Sequence, residues 1–146
     1  RLAFFVVMLT GLSPLFAQEG KLNQFPAAHF DRGVELYREG RFNAAVAQFR
    51  SYLNLANEGN QRAEAEYYYS MSKLKAGHTD GVPSLQQFLD QNPGSLKTTE
   101  ANLALGDFYY LKSKYSSALR YYKQVDDKAI DKELRSQFNY RKDIAW

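Results

Sequence analysis

The stretch TEANLALGDFYYLKSKYSSALRYYKQV, residues 99–125, decides the fold. Two helical segments, Thr99 to Lys112 and Ser116 to Val125, are separated only by a short polar turn. Within them Leu105 and Gly106 come first, then Tyr109, Tyr115, Ala118 and Tyr122. Small residues at 106 and 118 allow two helices to approach closely. The aromatics at 115 and 122 fill the wider gaps beside them. A larger side chain at either small position would push the helices apart.

Upstream, residues 27–53 repeat this arrangement with Gly33, Leu36, Gly40, Phe42, Ala45 and Phe49. Phe30, Val34 and Leu36-Tyr37 recur at helical steps from about Ala27 to Glu39, Pro26 precedes that helix, and Gly40 is a suitable stop. A second helix begins at about Asn43, the expected N-cap, and carries Ala45, Val46, Phe49, Tyr52 and Leu53. Further helices are expected at Arg62 to Ala76, Pro83 to Asp90, and Lys132 to the end. No segment has the alternating β-branched pattern of a strand, so the class is all-α.

Gly33 and Gly106 lie 73 residues apart, or twice 36.5, which requires a middle hairpin with Phe88 as its second-helix aromatic. Phe88 follows Phe49 by 39 residues and precedes Tyr122 by 34, so the excess falls in the turn Gly77-His78-Thr79-Asp80-Gly81. The Leu-Gly, Tyr, Ala and aromatic spacing of residues 99–125 resembles the tetratricopeptide repeat, whose period is about 34 residues. That resemblance implies a right-handed superhelical stack of antiparallel helix hairpins, an α-solenoid. Residues 27–146 would supply three hairpins and the first helix of a fourth. His29 and Arg32 depart from the repeat pattern, standing where large apolar residues are usual.

The segment LQQFLDQNPGS, residues 85–95, is similar to hairpin ends of periplasmic and outer-membrane tetratricopeptide proteins of Gram-negative bacteria, such as those serving envelope assembly and the Tol-Pal system. With the Phe16-Ala17-Gln18 junction it points to exported repeat proteins of the Bacteroidota type. Arg1 and the apolar run Leu2 to Leu9, followed by Gly11, Ser13, Pro14 and Ala17, read as a signal peptide over residues 1–17. Residues 18–26 would then be a short linker. The apolar run is shorter than the roughly 20 residues a membrane span needs, so no transmembrane span is expected in the mature chain. Periplasmic location or peripheral association with the outer membrane follows.

Composition removes several function classes. Nineteen Lys and Arg stand against 16 Asp and Glu, mixed along the chain, and this net charge of +3 gives no footprint for nucleic acid. Cysteine is absent, so there are no disulfides, thiolate metal sites or cysteine nucleophiles. His29 and His78 have no ligand spacing to each other or to a carboxylate pair and read as solvated side chains. Glu64 and Glu66 lie two apart on a helix and do not face one another, and Asp126, Asp127, Asp131 and Glu133 lack the spacing of a calcium loop. With no phosphate-cradling glycine loop either, neither enzyme activity, nor a cofactor, nor a metal is expected.

The resemblance implies a concave partner-binding face lined by the first helix of each hairpin. By register this is Phe30, Val34 and Tyr37, then Tyr67, Met71 and Leu74, then Leu103, Asp107 and Tyr110. Such a face is aromatic with few charges and suits an apolar groove for a peptide or helix rather than a clamp for a C-terminal carboxylate. The expected function is an exported scaffold for protein or peptide binding in the cell envelope. The alternative is the ligand-sensing or adaptor part of a longer exported signalling or cell-wall-active protein. Tyr67, Tyr68 and Tyr69 span about 200° of a helical wheel, so they cannot all enter the core. The final helix, with Leu134, Phe138, Arg141 and Ala145, stops at Ile144-Ala145-Trp146 without a terminator, which predicts that the natural chain continues.

Overall fold

The computed structural model describes residues 25–56 and 61–146, and seven helices follow one another among these described residues. They are α1 (Pro26–Arg38), α2 (Phe42–Leu55), α3 (Arg62–Lys75), α4 (Gly81–Gln91), α5 (Thr98–Leu111), α6 (Tyr115–Tyr122) and α7 (Lys132–Ala145). No strand occurs among the described residues, in agreement with the all-α expectation. The expected signal peptide and most of the linker lie outside the described residues.

Three hairpins, α1–α2, α3–α4 and α5–α6, share one way of turning. At the end of each first helix the backbone enters the left-handed region once, at Gly40 (φ 74°), Gly77 (φ 77°) and Ser113 (φ 57°). The N–H of that residue donates three positions back, to Tyr37, Leu74 and Tyr110, at 3.1, 3.2 and 2.9 Å. The next N–H donates five positions back, from Arg41 to Leu36, His78 to Lys73 and Lys114 to Tyr109, at 2.9, 3.0 and 2.9 Å. This pair of bonds is the Schellman cap, which satisfies carbonyls the helix leaves open. The cap recurs at spacings of 37 and 36 residues, so the first helices keep one period.

The second helices do not keep that period. Residues 39–41 and 112–114 join α1 to α2 and α5 to α6, whereas residues 76–80 join α3 to α4. Two extra residues delay α4, as the 39 and 34 spacings of Phe49, Phe88 and Tyr122 require. Gly81 then lets α4 begin against α3: a β-carbon there would lie 2.7 Å from the Leu74 Cα.

Close approach within hairpins follows the small positions. A β-carbon on Gly33 would stand 2.8 Å from the Phe49 ring, and one on Gly106 would stand 2.3 Å from Cε1 of Tyr122. The middle hairpin uses serines instead. Ser70 holds the first-helix position equivalent to Gly33 and Gly106, and its hydroxyl lies 2.8 Å from that of Ser84 and 3.1 Å from the Ser84 carbonyl, to which it donates. Ser84 takes the place of Ala45 and Ala118, both fully buried.

Three apolar cores result, and each spans a hairpin plus the first helix of the next unit. Phe30, Leu36, Ala45, Phe49 and Tyr52 pack with Ala65 of α3. Tyr67, Met71, Leu85 and Phe88 pack with Ala101 and Leu105 of α5. Leu103, Ala118 and Tyr122 pack with Ile130, Phe138 and Ala145 of α7 and its approach. Each first helix also touches the next first helix in the chain. No hairpin therefore completes a core alone, which is the energetic habit of stacked repeats.

Several local expectations need correction. Asn43 is not an N-cap: α2 starts one residue earlier, Arg41 precedes it, and no side chain caps it. Asn43 instead pairs its Oδ1 with Nε2 of His78 at 2.7 Å, while His29 Nδ1 meets Gln48 Oε1 at 2.8 Å, so neither histidine is merely solvated. Pro26 is the first residue of α1 rather than its prelude, a position where a missing N–H costs nothing. On α7, Phe138 and Ala145 are buried, whereas Leu134, Tyr140 and Ile144 remain exposed beside Trp146.

Candidate binding groove

A trough lies between α1 and α3, the first helices of the first two hairpins, both of which pack on α2. Its volume is about 560 Å³, and it is lined by Phe30, Asp31, Val34, Glu35, Arg38, Glu39, Glu64 and Tyr68. A second hollow of about 770 Å³ lies beyond it, where the α4–α5 turn meets α3, and it includes Glu64, Leu96, Lys97 and Glu100. Glu64 borders both hollows, so the depression runs from α1 toward α5.

Tyr68 forms the floor. Its ring stacks on Phe49 at 5.6 Å with planes 8° apart, and it meets Tyr37 edge to face at 5.1 Å and Phe30 at 6.4 Å. Such contacts on three sides hold the ring in one orientation. Tyr67, one residue earlier, turns into the next core against Phe88 and donates its hydroxyl to Glu100 Oε2 at 2.9 Å. Lys97 completes the cluster, with Nζ 3.2 Å from Glu100 and within 5.7 Å of the Tyr67 and Tyr68 ring centres.

Of the nine residues expected on the binding face, Phe30, Tyr67, Met71 and Leu103 are buried, while Val34, Tyr37, Leu74, Asp107 and Tyr110 are half-buried. Phe30 and Val34 line the trough. Asp107 is occupied internally, accepting from the Tyr122 hydroxyl at 2.7 Å and pairing with Arg141 of α7 at 2.6 Å. The third hairpin's share of the face is thus partly taken by α7.

The tyrosines report these environments. Burial, reinforced by neighbouring Tyr68 and Glu100, pushes the Tyr37 hydroxyl up to about 12. Tyr67 is raised further, first by burial and then by the Glu100 carboxylate. Tyr122 is raised by burial and by its bond to Asp107. Tyr69 moves the other way: burial opposes ionisation, but Arg50 and Lys73 together outweigh it.

Sequence reasoning missed the acids of the trough. Asp31 and Glu35 lie four apart on α1, and Glu64 and Tyr68 lie four apart on α3, so each pair shares a helix face. That spacing was visible, but only the packing of α1 beside α3 brings the two faces together. Arg32 pairs with Glu35, and Arg41 with Glu39 at 3.5 Å, both in exposed positions. No group of His, Cys, Asp or Glu among the described residues is arranged to hold a metal ion. Comparison with family models, curated proteins and solved structures returns no match.

Proposed function

We propose that the chain is an exported tetratricopeptide-type scaffold, a right-handed superhelical stack whose first-helix side holds a protein or peptide partner in the bacterial cell envelope. The observation that carries this reading is the trough between α1 and α3, continued past Glu64 toward α5, on a framework of three equivalently capped hairpins. A trough with a fixed aromatic floor suits an extended or helical segment laid across successive hairpins. No helix among the described residues is long and apolar enough to cross a membrane.

Panning a peptide-display library against residues 18–146 tests the proposal. Enriched peptides should compete for one site, and their binding should change on charge reversal at Glu64, with thermal melts run alongside because Glu64 stands in the first turn of α3. Failure to enrich any peptide above an unfolded control would overturn it.

A further inference from the structure

We infer that the trough between α1 and α3 takes a basic peptide segment, with one lysine or arginine side chain of the partner held among Asp31, Glu35 and Glu64. This rests on the scaffold reading above and names the chemistry of its partner. The first support is sign. The two joined hollows carry five carboxylates, Asp31, Glu35, Glu39, Glu64 and Glu100, against only Arg38 and Lys97. The chain as a whole has a net charge of +3, so this depression opposes its own background. A concave surface lined by one sign concentrates the field and draws the opposite charge.

The second support is what remains to be paired. Glu35 and Glu39 have arginine neighbours in exposed pairs that cost little to exchange, whereas no ion pair reaches Asp31 or Glu64 among the described residues. The third is a precedent within the molecule. Lys97 places its ammonium 3.2 and 3.3 Å from the two Glu100 oxygens, beside the Tyr67 and Tyr68 rings. Glu64 lies four residues before Tyr68 on α3 and borders both hollows, so it presents a second carboxylate near the ring that Lys97 already approaches. Val34 and Tyr68 supply apolar surface along which the stem of a long basic side chain can lie while its head meets the acids.

Anisotropy titrations of the chain with the fluorescein-labelled hexapeptide Leu-Lys-Phe-Lys-Leu-Arg and with its counterpart Leu-Glu-Phe-Glu-Leu-Glu give the test. The basic peptide should bind and the acidic one should not. Raising the salt concentration should weaken binding, and Glu64→Gln or Asp31→Asn should weaken it about tenfold, the usual loss for one charged hydrogen bond. Glu64 stands in the first turn of α3, so thermal melts accompany its variant, and exposed Asp31 provides the independent check. Equal binding of both peptides, or indifference to both substitutions, overturns the inference. If neither hexapeptide binds but the display library yields apolar or acidic binders, this inference falls and the scaffold reading stands. If nothing binds, both fall.

Discussion

A methyl group at position 106 would have to share space with a ring that cannot move away. Tyr122 is fully buried, tied through its hydroxyl to Asp107 and set edge-on against Phe138 at 5.4 Å. Gly106→Ala should therefore destabilise by about 1 to 3 kcal/mol through overpacking, even though alanine is the better helix former by about 1 kcal/mol. Ala118→Leu should lose at least as much, and urea titrations with an unchanged slope would check both. Ser72 carries the opposite expectation. It is fully buried and its hydroxyl has no hydrogen-bond partner among the described residues, so Ser72→Ala should stabilise by about 1 kcal/mol in the same assay. Gly106 and Ala118 were legible from sequence because their spacing to aromatics recurs. Ser70 and Ser72 were not, since only the placement of α4 tells that Ser70 rather than Ser72 meets Ser84. The groove acids stayed hidden for a related reason. Apolar periodicity marks a helix face but cannot divide it into interior and lining, so Phe30 and Tyr67 read alike with Val34 and Tyr37.

At the scale of the element, the three hairpin turns test how far one backbone solution serves three sequences. Gly40 and Gly77 adopt positive φ without a side chain to clash, while Ser113 adopts φ 57° against the preference of any residue with a β-carbon. Ser113→Gly should raise stability by about 0.5 to 1 kcal/mol, and Gly77→Ala should lower it by a similar amount, both read from thermal melts. If Ser113→Gly destabilises, the serine side chain contributes something beyond the cap. The existence and order of the helices were legible because Gly and Pro punctuate a strong periodicity. Their ends were less so. Val125 was expected inside α6, yet Gln124 and Val125 already donate three residues back, to Tyr121 and Tyr122, in turn geometry. Pro83 was expected to open α4, but Gly81 begins it, because the two-residue insertion ends where α4 first touches α3. Propensity placed these boundaries from the local chain alone; tertiary contact moved them.

For the whole molecule, the decisive feature is that the three cores share helices, so a disturbance in one is felt by its neighbour. Buried or half-buried tyrosines stand at each of these joints. Tyr37 on α1 lies against Tyr68 of α3, Tyr67 on α3 bonds Glu100 of α5, and Tyr122 on α6 bonds Asp107 of α5, which in turn pairs with Arg141 of α7. All three hydroxyls are held above the ordinary tyrosine value near 10, with burial the first cause, so the folded state favours their neutral form. The sign follows from linkage. A group whose folded value is raised contributes its full stability below the unfolded value and loses it as the pH climbs above that value. Stability should therefore hold up to about pH 10 as far as these groups are concerned. For Tyr37 the loss should run from there to about 12, where its folded form itself ionises. Tyr67 and Tyr122 should keep subtracting stability beyond that point, because their folded forms resist ionisation longer. Melting curves taken through this alkaline range, with tyrosinate absorbance followed on the same samples, would check the expectation. Beyond the earlier contribution of Tyr69, whose value is lowered by Arg50 and Lys73, ionisation of the three joint tyrosines should coincide with unfolding, since ionising any one of them undermines a core that two hairpins share. Tyr37→Phe should delay the onset, having no proton to lose. Ionisation of all three tyrosines with the helices intact would mean that the joints are open to solvent and that the cores do not depend on one another.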